Sequence, residues 1–308
     1  MRHFVLISIL IMFVCTAHSE EESKSFSLIK DPDFSQGFKI LAPKQGQKVV
    51  LGTIGGTTPQ WETAQWASHY SLHQPKERKT VKGGFWAFDG AKTFGLNEGV
   101  LQMGVDAGKE FLDGPRKKGQ AWPHLLVEQG FADIAPRLDE MASVQFSVEA
   151  RLLQDKRPKP EGYTPSLHAA QFLIYFVVQN RNKASKGFGD FLWLGVPIYD
   201  DRREVTGHVI EGDVGHNKII YMPGRDVYTA ESTEMGKWIR FEADMLVLAK
   251  KALEESWRRE FLTDSKDFHD YAIKAMNMGW EVPGMNDVLM EVRGLTVEAL
   301  EAGEAPAG

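Results

Sequence analysis

Apolar and polar residues alternate with a period of two along much of the chain, in short runs separated by Gly, Pro, Asn and Asp clusters. Alternation of that kind marks strands with one buried face, and many such runs in series predict an antiparallel sandwich or barrel. In Ser143–Leu152 the residues Val144, Phe146, Val148, Ala150 and Leu152 share one face, while Gln145, Ser147, Glu149 and Arg151 share the other. The run His168–Asn180 is apolar on both faces and reads as a central strand, with Gln171, Tyr175 and Gln179 on one side. Phe191–Tyr199 turns Leu192, Leu194, Val196 and Ile198 one way and Phe191, Trp193 and Tyr199 the other, and Trp238–Met245 alternates strictly. Shorter strands are expected at Phe38–Leu41, Lys48–Leu51, Val100–Val105, Lys218–Met222, Ala272–Met278 and Val288–Val292.

A helical period appears clearly once, over Leu248–Phe261, where Ala249, Leu253, Trp257 and Phe261 recur every fourth residue against a charged opposite face. Pro123–Gln129 is a weaker helical candidate, with Pro123 suited to a first turn. Strands dominating with one solid helix predict an all-β fold: an antiparallel β-sandwich of jelly-roll type, with one amphipathic helix near the C-terminus.

The first residues add a compartment. Arg2, an apolar run from Phe4 to Cys15 interrupted only by Ser8, and the small-x-small ending Ala17-His18-Ser19 together describe a secretory signal peptide over residues 1–19. The run is too short to span a bilayer, so no membrane span is expected after its removal. Export implies a secreted or periplasmic protein. Between residue 20 and residue 300 no linker, repeat or low-complexity run interrupts the pattern, which predicts one sandwich domain; 301–308 (EAGEAPAG) reads as a flexible tail.

Composition narrows the chemistry. The only cysteine is Cys15, inside the leader, so a mature chain would have no disulfide, thiolate nucleophile or cysteine-bound zinc. A net charge of −6 supplies no polybasic footprint, and nucleic acid is not an expected partner. No H-E-x-x-H, G-x-S-x-G or P-loop motif occurs. Glu211, Asp213 and Asn217 put oxygen ligands in a Gly-bearing loop compatible with structural calcium, although the spacing misses the EF-hand pattern. No other cofactor is implied.

Eight tryptophans, all beyond the leader, are what remains to be explained. Most should be core, but exposed indole and phenol rings also stack on the apolar face of sugars. Pro59–Tyr70 joins Trp61 and Trp66 to Gln65, His69 and Tyr70, and Trp122–Gln129 adds His124, Glu128 and Gln129. Such mixtures can stack a ring and hydrogen-bond its hydroxyls. Glycoside cleavage would further need paired carboxylates on one face, for which Glu149 and Glu242 are available; each has an arginine two residues away and could equally belong to a surface ion-pair ladder.

The strand pattern, the Trp-rich loops and the closing GWEVPG turn (Gly279–Gly284) resemble the concanavalin A-like lectin and glucanase superfamily. That resemblance implies a glycan bound or cleaved on the concave face of one sheet, in some members with a structural calcium ion. It places Glu149, Arg151, Gln171, Tyr175, Gln179 and Trp193 on such a face. The resulting expectation is an exported glycan-interacting protein with an oligo- or polysaccharide partner, either a glycoside hydrolase or lyase or a non-catalytic binding or envelope protein. Glu149 is the candidate catalytic carboxylate, His124 its proton-transfer partner, and Arg151, Gln171, Tyr175, Gln179, Trp193 and Trp66 the ligand-binding set.

Overall fold

The structure is a computed structural model that describes residues 24–44, 48–131, 135–203, 206–213 and 218–303. The leader assigned to residues 1–19 lies outside the described residues, as does Asn217 of the calcium candidate. No helix among the described residues is long and apolar enough to cross a membrane.

Two sheets form the molecule. The first contains β1 (Ser25–Ser27), β5 (Glu77–Val81), β6 (Gly84–Phe88), β7 (Lys92–Asn97), β8 (Val100–Asp106), β10 (Met141–Lys156), β15 (Ile239–Asp244) and β17 (Asp287–Glu301), ordered β15-β10-β17-β8-β7-β6-β5 with β1 on β17. The second contains β2 (Phe38–Leu41), β3 (Val50–Ile54), β4 (Trp61–Ala64), β9 (His124–Gly130), β11 (Gln171–Asn180), β12 (Phe191–Asp200), β13 (Val209–Asp213), β14 (Lys218–Met222) and β16 (Tyr271–Glu281). Its order is β13-β14-β12-β11-β16-β9-β4-β2-β3. Pairing is antiparallel except between β12 and β14 and between β2 and β4. The all-β sandwich, with one α-helix among the described residues, is therefore as the alternation predicts.

The inward sets meet in one apolar core. Val144, Phe146, Val148 and Ala150 of β10 face Phe172, Ile174 and Phe176 of β11, and Phe146 and Phe176 contact edge to face at 5.5 Å. Farther along, Phe38 of β2 meets Phe94 of β7 edge to face at 4.8 Å. Trp280 of β16 is fully buried, and its indole donates across the sandwich to the Met103 carbonyl at 2.9 Å. Trp61 is equally buried and donates to the Asp31 carbonyl at 2.9 Å. Trp280 thereby ties the two sheets together and Trp61 ties β4 to the 31–36 loop, each with its indole N–H satisfied, as buried Trp requires.

The helix α1 (Met245–Arg258) begins three residues earlier than its apolar period suggests, because β15 runs straight into it through Asp244. The Asp244 carboxylate caps the helix by accepting from Leu246 N at 3.0 Å, and it also accepts from Val144 N at 3.1 Å. Leu246, Ala249 and Leu253 bury the inner face of the helix, which packs against β10 and β12.

One expected element is overturned. Pro123–Gln129 is not a helix; the segment is β9, paired with β16 on one side and β4 on the other. Leu125 and Val127 enter the core while His124 and Glu128 face outward, a period-two pattern that outweighs the proline's helical preference.

Candidate functional site

Strand register places the outward residues of the second sheet in rows. Lys39, Glu62, Glu128, Asn277, Tyr175 and Gly195 lie opposite one another across six adjacent strands. A second row, four residues along β16, runs His124, Glu281, Gln171 and Asp200. A third brings Gly130, Ala275, Val177, Trp193, Ile220 and Glu211 into line. Flanking loops add Trp66 and Trp122, and the face becomes a groove in two continuous parts that share Trp66, Trp193 and Asn277, with volumes of about 600 and 530 Å³.

Its aromatic walls are held by specific contacts. The imidazole of His124 sits between Trp66 and Trp122, with ring centres 5.6 Å from each. Arg116 covers the other side of Trp122 at 5.0 Å, in the range of a cation–π contact. Across the groove, Trp193 meets Tyr175 edge to face at 5.7 Å, and its indole donates to Asp213 at 3.1 Å. Tyr175 lies over Gly195, where an added Cβ would come within 3.0 Å of the phenol ring, so only glycine leaves the ring its place.

The polar groups concentrate around Tyr175 and His124. His124 Nδ1 lies 2.9 Å from the Trp122 carbonyl and must donate to it, which turns Nε2 toward Glu281 at 3.5 Å. Trp122 also donates its indole N–H to Glu281, at 3.2 Å. Burial pushes the Glu281 carboxyl up, but the hydrogen bond and charge of His124 and the Trp122 donor outweigh it, so Glu281 sits below the usual carboxylate range; the Asp213 charge partly opposes them. Burial, followed by the charges of Glu281, Glu211 and Asp213, raises the Tyr175 phenol well above its ordinary value. The phenol stays protonated, with acids on both sides of it.

Toward β2 and β3 the groove has a second acidic pair. Lys48 Nζ stands 2.8 Å from Glu128 Oε1, an ion pair off the hydrogen-bonding direction, and 3.6 Å from Glu62 Oε2. Burial of Lys48 works against its charge, but the hydrogen bond and charge of Glu128, and then those of Glu62, outweigh it and raise the ammonium above the ordinary lysine value.

The predicted site residues divide. Trp66, His124, Gln171, Tyr175 and Trp193 come together in the groove. Gln179 shares the face but lies at the far end of β11, where its amide donates to the Gly189 carbonyl at 2.8 Å. Glu149 and Arg151 are on the outer face of the opposite sheet, with the sandwich core between them and His124. There Glu149 pairs with Arg293 at 2.8 Å, Arg151 pairs with Glu291, and both arginines stack on Trp238. Glu149 and His124 cannot act on one bond, and the expected dyad is corrected. Glu242 belongs to a surface pair with Arg240. Sequence reasoning missed Glu281 and Asn277; the signal for Glu281 was its alternation with the inward Trp280 in the GWEVPG segment. Glu211 and Asp213, from the loop whose oxygen ligands are compatible with calcium, line the groove, and no cluster of three or more His, Asp or Glu side chains that could hold a metal occurs among the described residues.

No family model matches the chain, and no curated protein does. Among solved structures, endoglucanase cel12A from Rhodothermus marinus is similar at 8% identity, over 73% of this chain and 96% of that one, with a TM-score of 0.38. A metagenome-derived glycoside hydrolase family 12 endoglucanase gives 9% identity, coverage of 79% and 99%, and a TM-score of 0.39. A family 12 xyloglucanase from Bacillus licheniformis gives 8%, 77% and 99%, and 0.39. Likenesses at that level carry no argument about this chain, whose site rests on its own geometry.

Proposed function

We propose that this chain is an exported glycan-interacting protein that binds a neutral oligo- or polysaccharide segment along the groove of its nine-stranded sheet and cleaves it as a glycoside hydrolase. The observation that carries the reading is the convergence of Trp66, Trp122, Tyr175 and Trp193 on one groove whose floor also presents Gln171, Asn277 and Glu281. Ring faces supply stacking area for sugars, and the amides and carboxylates supply partners for their hydroxyls. The acids around Tyr175 disfavour a uronate at that point, which argues for hydrolysis of a neutral glycan over lyase chemistry.

Hydrolysis needs one ionised carboxylate and a second group that protonates the leaving oxygen; the Tyr175 phenol, kept protonated beside the Glu281 charge, is the group placed to do so. Glu281 is held ionised, and Asp213 is near enough across Tyr175 for its charge to act on it. His124, aimed at Glu281 through Nε2, positions the carboxylate and supplies its compensating hydrogen bond. Export rests on the residue 1–19 leader and belongs to the same proposal.

Affinity electrophoresis against a panel of neutral polysaccharides tests binding, and reducing-end release tests cleavage. The wild type should be retarded by at least one glycan, Trp193→Ala should lose roughly tenfold in affinity, and Glu281→Gln should lose about 100-fold or more in turnover while still binding. A wild-type protein retarded by no glycan sinks the binding reading; full turnover in Glu281→Gln removes that residue from the chemistry.

A further inference from the structure

Beside the groove, in a cavity that shares Arg202 with it, Arg225 is 2% exposed, and none of its three guanidinium nitrogens has a hydrogen-bond partner among the described residues. The Phe241 ring lies 5.1 Å from it, and Glu231 is near enough for its charge to act on the guanidinium without forming an ion pair with it. A buried cation in that condition is expensive, because its hydration is lost and nothing replaces it. Such a group calls for an explanation, and a bound ion that supplies the missing partner is one.

Arg225 borders a cavity of about 410 Å³ that Arg157, Arg202 and Arg203 also line, against only Asp200 and Asp201. Two of these arginines are committed. Arg157 pairs with Asp155 and donates to the Asp201 carbonyl and the Tyr199 hydroxyl, and Arg202 pairs with Asp200 at 2.6 Å. Arg203 has no carboxylate partner among the described residues. Neither Arg203 nor Arg225 forms an ion pair among the described residues, and Thr206 and Thr233 add hydroxyls to the cavity wall. Guanidinium forks match the geometry of phosphate and sulfate oxygens, and several converging on one cavity select a multiply charged oxyanion.

We infer that this cavity is a second ligand site, which takes a tetrahedral oxyanion, phosphate or sulfate, free or as an ester, with Arg225 as its buried anchor and Arg203 at its mouth. The site is independent of the sugar groove in its chemistry. The groove presents acids around a phenol, whereas this cavity presents unpaired cations, so an anion here regulates or anchors the protein and is not the neutral glycan itself.

Titration of the full chain with inorganic phosphate, at ionic strength held constant with chloride, tests the site by calorimetry and thermal unfolding. The wild type should bind saturably, with a rise in Tm of about 3 °C at tenfold excess over Kd. Arg225→Met should raise the Tm of the unliganded protein, since it removes an unsatisfied buried charge, and should abolish the phosphate response. Arg203→Ala, at the surface, should weaken binding about tenfold with the unliganded Tm unchanged. Inorganic sulfate and glucose 6-sulfate, run as separate arms, tell a free ion from an ester carried on a sugar. Trp193→Ala should respond to phosphate like the wild type, which separates failure of this site from failure of the groove. Absence of saturable binding by the wild type to any of the three probes overturns the inference, and so does an unchanged response in Arg225→Met. Should that variant not fold, wild-type affinity in Arg203→Ala overturns it instead.

Discussion

At the scale of single residues, Glu281 shows how an ordinary carboxylate becomes a special one. Its strand neighbour Trp280 points inward, so Glu281 must point outward, and the β9 register brings His124 opposite it. His124 commits one nitrogen to the Trp122 carbonyl and turns the other to the carboxylate. Burial opposes the charge of Glu281, but the His124 and Trp122 contacts prevail and hold its folded-state value below 4.5. A group depressed on folding contributes stability that is present above its unfolded value and lost as pH falls through the folded one. The wild type should therefore lose Tm more steeply than Glu281→Gln as pH drops below about 4.5, and the two curves should run parallel above it. Parallel curves throughout, in thermal melts at stepped pH, would show that Glu281 is not held ionised by folding.

Elements were legible in proportion to their length and burial. Phe38–Leu41 and Lys218–Met222 have the predicted bounds, and the central strands β10, β11 and β12 differ from prediction only at their ends. Their alternation is strong because one face is fully buried. Among the strands that escaped, β5 is exposed at every residue, so no hydrophobic period marks it. The helix was legible in its apolar stripe but not in its start, because Asp244 at the end of an alternating strand looks like one more outward polar residue. Its two roles, capping Leu246 N and bonding Val144 N, give a prediction at this scale. Asp244→Ala should destabilise the protein by about 2 kcal/mol, the sum of a helix cap and one further charged hydrogen bond. Denaturant unfolding with an unchanged m-value would check it, and a loss well under half of that would show the cap to be solvated.

At the scale of the whole molecule, the sequence pattern could assign side chains to faces but could not say which sheet's outer face would carry the site. Glu149 and Gln171 have the same polar-face signature, yet β10 and β11 belong to opposite sheets, and only strand order separates them. Loop placement was equally hidden, and it depends on a buried ionic cluster. Lys92, with no exposed side-chain surface, stands 2.8 Å from Asp89, 3.9 Å from Glu110, 2.5 Å from the Ser68 hydroxyl and 3.0 Å from the Tyr70 carbonyl. Glu110 in turn accepts from Ser68 at 2.6 Å and from the His69 amide at 2.7 Å. These contacts fasten the 66–70 loop, and with it Trp66 at the groove, to the β7 strand of the opposite sheet. One cysteine in the chain permits no internal disulfide, so the ion cluster does the fastening that a covalent bridge would otherwise do. Lys92→Met would leave two buried carboxylates without their cation and should cost about 3–5 kcal/mol, as removing one partner of a buried pair generally does. The same substitution should release Trp66 and weaken glycan retention in affinity electrophoresis, whereas a double replacement of Lys92 and Asp89 by apolar residues should recover part of the stability, because fewer unpaired charges remain buried. Full retention of glycan by a folded Lys92→Met protein would show that Trp66 is placed by packing alone.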